Sequence, residues 1–89
     1  MKITFKSTFN QEETELETES TTLGALLDEL SNNRELTKME FFDSESREVY
    51  PDCYVLVNGQ DYQVLADGLD TKLKNGDKVE IILLTMAGG

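Results

Sequence analysis

Groups able to do chemistry are scarce in this sequence. Histidine is absent, which removes the commonest general base, every Ser–His or Cys–His nucleophilic pair and the imidazole metal sites. The single cysteine, Cys53, opens the apolar run "CYVLV", where a small buried apolar role is expected and no base stands by to activate the thiol. One cysteine also excludes an intramolecular disulfide and a Cys-rich zinc site. Carboxylates are plentiful, but nothing places two of them in an apolar setting that would separate their pKa values. The densest acidic run, "QEETELETES", lacks the D-x-[DN]-x-[DN]-G pattern and the glycine turn that would converge its oxygens on calcium. "NGQDYQ" and "NGDK" do not match the phosphate-binding G-x-x-x-x-G-K-[ST] loop. Self-contained catalysis is not expected, nor a cofactor bound by the chain itself.

One reactive group remains, the carboxylate after "EIILLTMAGG". Gly88 and Gly89 have no Cβ, so a tail ending on them can thread a narrow channel and offer its carboxylate without hindrance. A carboxylate is a poor electrophile and needs activation, typically adenylation by ATP. With no phosphate loop in this chain, that ATP must bind another protein. The chain reads as a substrate.

Composition supports a small partner-dependent protein. Eighty-nine residues bury only about 60–65% of the surface exposed when unfolded, enough for one modest core and no second domain. Asp and Glu number 18 against 8 Lys plus Arg, a net charge of −10. That balance opposes nucleic acid and anionic membranes and favours a basic protein partner. The start, "MKITFKSTF", has neither a signal-peptide core nor an Arg-rich amphipathic pattern, and no apolar run approaches the ~20 residues of a membrane span. With one cysteine, this predicts a cytoplasmic protein. The lysines at 2, 6, 38, 72, 74 and 78 read as surface charge.

The elements that must position the tail follow from periodicity. Ile3, Phe5 and Phe9 alternate with Lys2, Thr4, Lys6 and Thr8, which predicts a strand. "NQEE" reads as a turn and "TELETES" as a second, solvated strand, giving an antiparallel hairpin. In "TTLGALLDELSNN", Leu23, Leu26, Leu27 and Leu30 make one helical stripe, with Thr21 or Thr22 as N-cap and "SNN" as stop. Gly24 inside that helix suggests a close approach to the sheet. "RELTKMEFF" spaces Leu36, Met39 and Phe42 as a short second helix, and "DSESREVYPD" reads as a polar connection. "CYVLVNGQDYQV" is a strand meeting the Asn58-Gly59 hairpin signal. "LADGLDTKLKNGDKV" is turn-rich, anchored by Leu69 and Leu73, and "KVEIILLTM" is the last strand. The expected architecture is α+β, a mixed sheet of four to five strands with one main helix packed across it and a short second helix. The expected core is Ile3, Phe5, Leu26, Leu27, Leu30, Val55, Val57, Val79, Ile81 and Leu83. The expected division is a domain over residues 1–84 and a flexible tail over 85–89.

In the last strand Glu80 should face water, sending Val79, Ile81 and Leu83 inward. Period 2 then places Ile82, Leu84 and Met86 on the outward face, where three successive apolar residues invite a partner. The competing expectation is that the second helix or the "DSESREVY" segment covers them.

"VNGQ", then "LKNGDKVEII", then the terminal Gly-Gly resemble the MoaD/ThiS family of ubiquitin-like sulfur carriers and the related small archaeal and ubiquitin-related modifiers. The matching positions are Val57-Asn58-Gly59, Gly76-Asp77-Lys78-Val79 and Gly88-Gly89, and "TTLGALLDEL" is similar to the family's helix. The resemblance implies a β-grasp fold and an adenylating enzyme of the ubiquitin-activating type. It implies Gly89 as the reacting position, Gly88 as its flexible companion, and ATP and a sulfur donor used through that partner. The Gly89 thiocarboxylate would serve molybdopterin, thiazole or tRNA thiolation through a sulfur-accepting enzyme; in the modifier branch Gly89 is joined to a lysine of a target protein. The molybdopterin-synthase subunit usually carries a Phe-Pro-Pro-like stretch before its last glycines, whereas this chain has "LLTMAGG". The outward patch of Ile82, Leu84 and Met86, read from periodicity, would dock the activating enzyme. A rival reading is a β-grasp binding module with an inert tail.

Overall fold

The computed structural model describes residues 1–8, 10–38 and 40–84, with the backbone alone at residues 10 and 11. Strand β1 (Lys2–Ser7) buries Ile3 and Phe5 and leaves Lys2 exposed, as its alternation requires. It pairs antiparallel with β2 (Asn10–Glu17), Ile3 opposite Leu16 and Phe5 opposite Thr14. β2 already begins at Asn10, so "NQEE" lies in the strand rather than in the turn. A polar edge strand carries no apolar period to mark where its pairing starts. Phe9 lies outside the described residues.

Helix α1 (Leu23–Ser31) starts at Thr22, whose hydroxyl accepts the Ala25 N–H at 3.2 Å, and closes at Asn32. Its four stripe leucines are buried. A Cβ on Gly24 would strike Arg47 Nη2 and stand 3.1 Å from the Leu69 carbonyl oxygen. The close approach at Gly24 is therefore to a side chain and a loop carbonyl. Helix α2 (Arg34–Thr37) is a single turn, ended by Lys38 in a left-handed conformation, φ 57°. It is shorter than its spacing predicts, and Phe42 opens a strand instead. β3 (Phe42–Asp43) and β4 (Glu48–Val49) form a two-stranded ribbon that spans the end of the expected helix and the segment read as a polar connection. Phe41 and Phe42 are buried in the core beside α1.

β5 (Cys53–Val57) and β6 (Gln60–Asp61) join through Asn58 and Gly59, both at positive φ (52° and 86°), the geometry that twists with a hairpin. Two short 3-10 turns, Tyr62–Val64 and Gly68–Asp70, lead to β7 (Lys78–Leu83). The two motif turns lock each other. Asn58 Nδ2 donates to Asp77 Oδ1 at 3.0 Å, and Asn58 Oδ1 accepts the Lys78 N–H at 3.0 Å.

The main sheet runs β2-β1-β7-β5-β6, with β1 and β7 parallel and the other pairs antiparallel. Ile3, Phe5, Val55, Val57, Val79 and Ile81 are buried in one cluster with the α1 leucines. Leu83 packs against that cluster half-buried, and Phe41, Phe42, Cys53 and Leu73 complete it. This mixed five-stranded sheet with one main helix and a short second one is a ubiquitin-like β-grasp.

Candidate functional site: the end of the last strand and the open sheet face

The parallel β1–β7 pair puts the end of the last strand in the middle of the sheet, flanked by β1 and β5. Beyond the regular ladder it is held from both sides. The Leu83 N–H donates to Thr8 Oγ1 at 2.8 Å, and the Leu84 N–H donates to the Asp52 carbonyl at 2.8 Å. These bonds fix where the chain departs toward residues 85–89. Met86, Gly88 and Gly89 lie outside the described residues.

β7 alternates through Ile81: Val79 and Ile81 are buried and Glu80 and Ile82 partly accessible, while Leu83 is half-buried and Leu84, just past the strand, is 44% exposed. The structure therefore places Ile82 toward the face opposite α1, with the exposed Leu84 two residues on. The segment expected as a possible cover instead sends Phe41 and Phe42 into the core.

Sequence reasoning missed two members of this surface. Tyr54 stands directly opposite Ile82, and Leu56 directly opposite Glu80. Tyr54 is 45% exposed and Leu56 half-buried. Period 2 within "CYVLV" puts Tyr54 and Leu56 on one face of β5, and only the pairing with β7 shows that it is the face of Glu80 and Ile82.

The rest of the open face is charged. Lys78 Nζ lies 2.7 Å from Glu13 Oε2 and 3.9 Å from Glu80 Oε1. The Lys78 hydrogen bond and charge hold the Glu13 carboxyl below the usual carboxylate range, and Glu13 in turn raises Lys78. Lys6 pairs across the ladder with Glu80. The face thus divides into an apolar corner beside the strand end and a field of interspersed Glu and Lys toward β2. Between them a groove of about 400 Å³ is lined by Lys6, Ser7, Thr8, Glu80, Ile81 and Ile82.

Cys53 is buried, and its thiol is pushed up to about 11, first by burial and then by the neighbouring Asp52 carboxylate. Both effects disfavour the thiolate, so the nucleophilic form is scarce at neutral pH. Among the described residues no group of three or more Cys, Asp or Glu side chains is arranged to hold a metal ion. Nor is any helix among them long and apolar enough to cross a membrane.

Solved structures share this fold. Urm1 from Trypanosoma brucei matches with TM-score 0.70 and 25% identity, over 96% of this chain and 93% of that one. The HVO 2177 protein of Haloferax volcanii matches at 0.68 and 27%, over 100% and 87%. A putative molybdopterin converting factor, subunit 1, from Pyrococcus furiosus matches at 0.62 and 26%, over 94% and 98%. No curated protein sequence matches the chain. The family model described as ThiS family matches residues 4–89, from β1 through the terminal glycines. By fold and by sequence over nearly its whole length, the chain belongs to the ThiS family.

Proposed function

We propose that this protein is a cytoplasmic ubiquitin-like sulfur carrier that works as the substrate of a separate adenylating enzyme of the ubiquitin-activating type. The observation that carries the reading is the Gly88-Gly89 of a ThiS-family chain, following in sequence a strand whose end is anchored by Thr8 and Asp52 beside an exposed apolar corner. Residues 85–89 reach the partner's ATP site while the folded domain, residues 1–84, stays outside. A Gly89 carboxylate oxygen attacks the α-phosphate of ATP and releases pyrophosphate. Sulfide then attacks the carbonyl of the acyl-adenylate, AMP leaves, and a thiocarboxylate remains. Ile82 and Leu84, with Met86 on the arm, dock the activating enzyme. A sulfur-accepting enzyme then takes the thiocarboxylate for molybdopterin, thiazole or tRNA thiolation.

The modifier reading shares the activation step and differs in the acceptor, a lysine amine of a target protein. The tail sequence "LLTMAGG" favours keeping it, because no proline stiffens the approach to Gly88. Intact-mass analysis after incubation with ATP, sulfide and a lysate of the source organism tests both. Replacement of one oxygen by sulfur, only in a chain retaining Gly88-Gly89, supports the carrier. Covalent adducts to other proteins support the modifier. If neither forms in a lysate that thiolates a known carrier of the family, the tail is inert.

A further inference from the structure

The chain's three tyrosines, Tyr50, Tyr54 and Tyr62, are far apart in sequence, yet all three line one groove of about 220 Å³ at the β5 edge. Cys53 and Asp61 share that groove. β6 covers β5 only at Leu56 and Val57, so the edge beside Tyr54 is left open to form it. Asp61 stands opposite Leu56 in the β5–β6 pair and therefore faces the same side as the apolar corner. One carboxylate oxygen, Oδ1, accepts the Gln63 N–H at 2.9 Å. Among the described residues no cation comes within ion-pair distance of Asp61. Glu80, on the opposite flank of the corner, lies 3.9 Å from Lys78, a lysine it shares with Glu13. The corner thus has one flank where a lysine stands beside the carboxylates and one flank with an unspent negative charge among aromatic rings.

We infer that the groove receives an arginine side chain from the activating partner, whose apolar surface rests on Leu56, Ile82 and Leu84. This inference rests on the reading that the open face docks that enzyme. Arginine fits better than lysine on two grounds. A planar guanidinium stacks on a tyrosine ring while its N–H fork bonds a carboxylate, and it is more weakly hydrated than an ammonium. The tyrosine faces and the free Asp61 oxygen supply both halves of that recognition. The net charge of −10 favours approach of a basic surface from a distance.

The test titrates the isotope-labelled full chain with N-acetyl-arginine amide, and in parallel with the citrulline and lysine amides. Saturable amide shifts at Tyr54, Asp61 and Tyr62 are expected, tightest for arginine by about threefold or more. They should be lost in Asp61→Asn, which keeps an oxygen for the Gln63 N–H, and weakened in Tyr54→Leu, which keeps the apolar surface. Equal responses to arginine and citrulline, or shifts confined to the acidic residues of β2, overturn the proposal. A second arm follows thiocarboxylate formation at Gly89 in the ATP-supplemented lysate. Asp61→Asn is expected to slow it by about fivefold, with Glu15→Gln close to wild type. Normal conversion of Asp61→Asn overturns the groove while leaving the carrier reading intact. Absence of conversion in every chain instead overturns the carrier reading, and the amide titration then decides the groove alone.

Discussion

Thr8 Oγ1 accepts the Leu83 N–H at 2.8 Å, a bond between residues 75 positions apart. It extends the β1–β7 ladder by one rung at the point where the chain leaves the sheet. The carboxylate tail of a carrier must be free, but its root must be fixed for the domain and the partner's ATP site to share one geometry.

Removing the Thr8 hydroxyl while keeping its shape should loosen that root. Thr8→Val is expected to destabilise the fold by about 1 kcal/mol, the usual net value of one hydrogen bond. Amide exchange at Leu83 should accelerate well beyond any change at Val79, as read by NMR. Unchanged exchange at Leu83 would show that the ladder and the Asp52 carbonyl hold the strand end without it.

The apolar corner gives the second prediction. Leu84→Asp and Ile82→Ser should fold, because both side chains lie outside the buried core. Either change at a docking centre should slow ATP-dependent activation about tenfold or more. A matched change at Ala25, exposed on α1, should leave it unaffected. Circular dichroism controls the fold, and rate of thiocarboxylate formation is the readout.

Cys53 supplies a third. Buried beside Asp52 with its thiol pushed up to about 11, it should alkylate far more slowly at pH 7.5 than after unfolding. The sign of the linkage follows from the raised pKa. The stability contributed by the neutral thiol is fully present below its ordinary value of 9.0 and is lost as pH rises toward 11. Cys53→Ala should therefore lose less stability than wild type between pH 9 and 11, measured by urea unfolding.

Gly24 tests the helix packing. Alanine ordinarily gains about 1 kcal/mol over glycine in a helix interior. Here a Cβ would meet Arg47 Nη2 and the Leu69 carbonyl. Gly24→Ala is expected to forfeit that gain, and Arg47→Ala should restore part of it by emptying the side-chain half of the contact. A full gain in Gly24→Ala alone, by thermal unfolding, would contradict the packing.

Much of this architecture is legible because one face of each element is buried. The α1 leucines and the alternation of Ile3 with Phe5, or Val79 with Ile81, report the core directly. Asn58-Gly59 is legible because few other pairs accept positive φ twice. The ribbon of β3 and β4 is not, since two-residue strands are too short to show a period. Arg47 over Gly24 and Thr8 on Leu83 depend on tertiary placement that local patterning does not encode. Ile82 and Leu84 were legible because Glu80 marks the outward face of their strand. Tyr54 carries no such marker, and its partner Ile82 appears only once β5 and β7 are paired.

The central claim is that Gly89 is activated by a partner and takes up sulfur. Intact-mass spectrometry of the full chain and of one lacking Gly88-Gly89, each incubated with ATP, sulfide and source lysate, tests it most directly. Exchange of one oxygen for sulfur is expected, dependent on ATP and seen only in the full chain. An unchanged mass in a lysate that thiolates another ThiS-family carrier would contradict it.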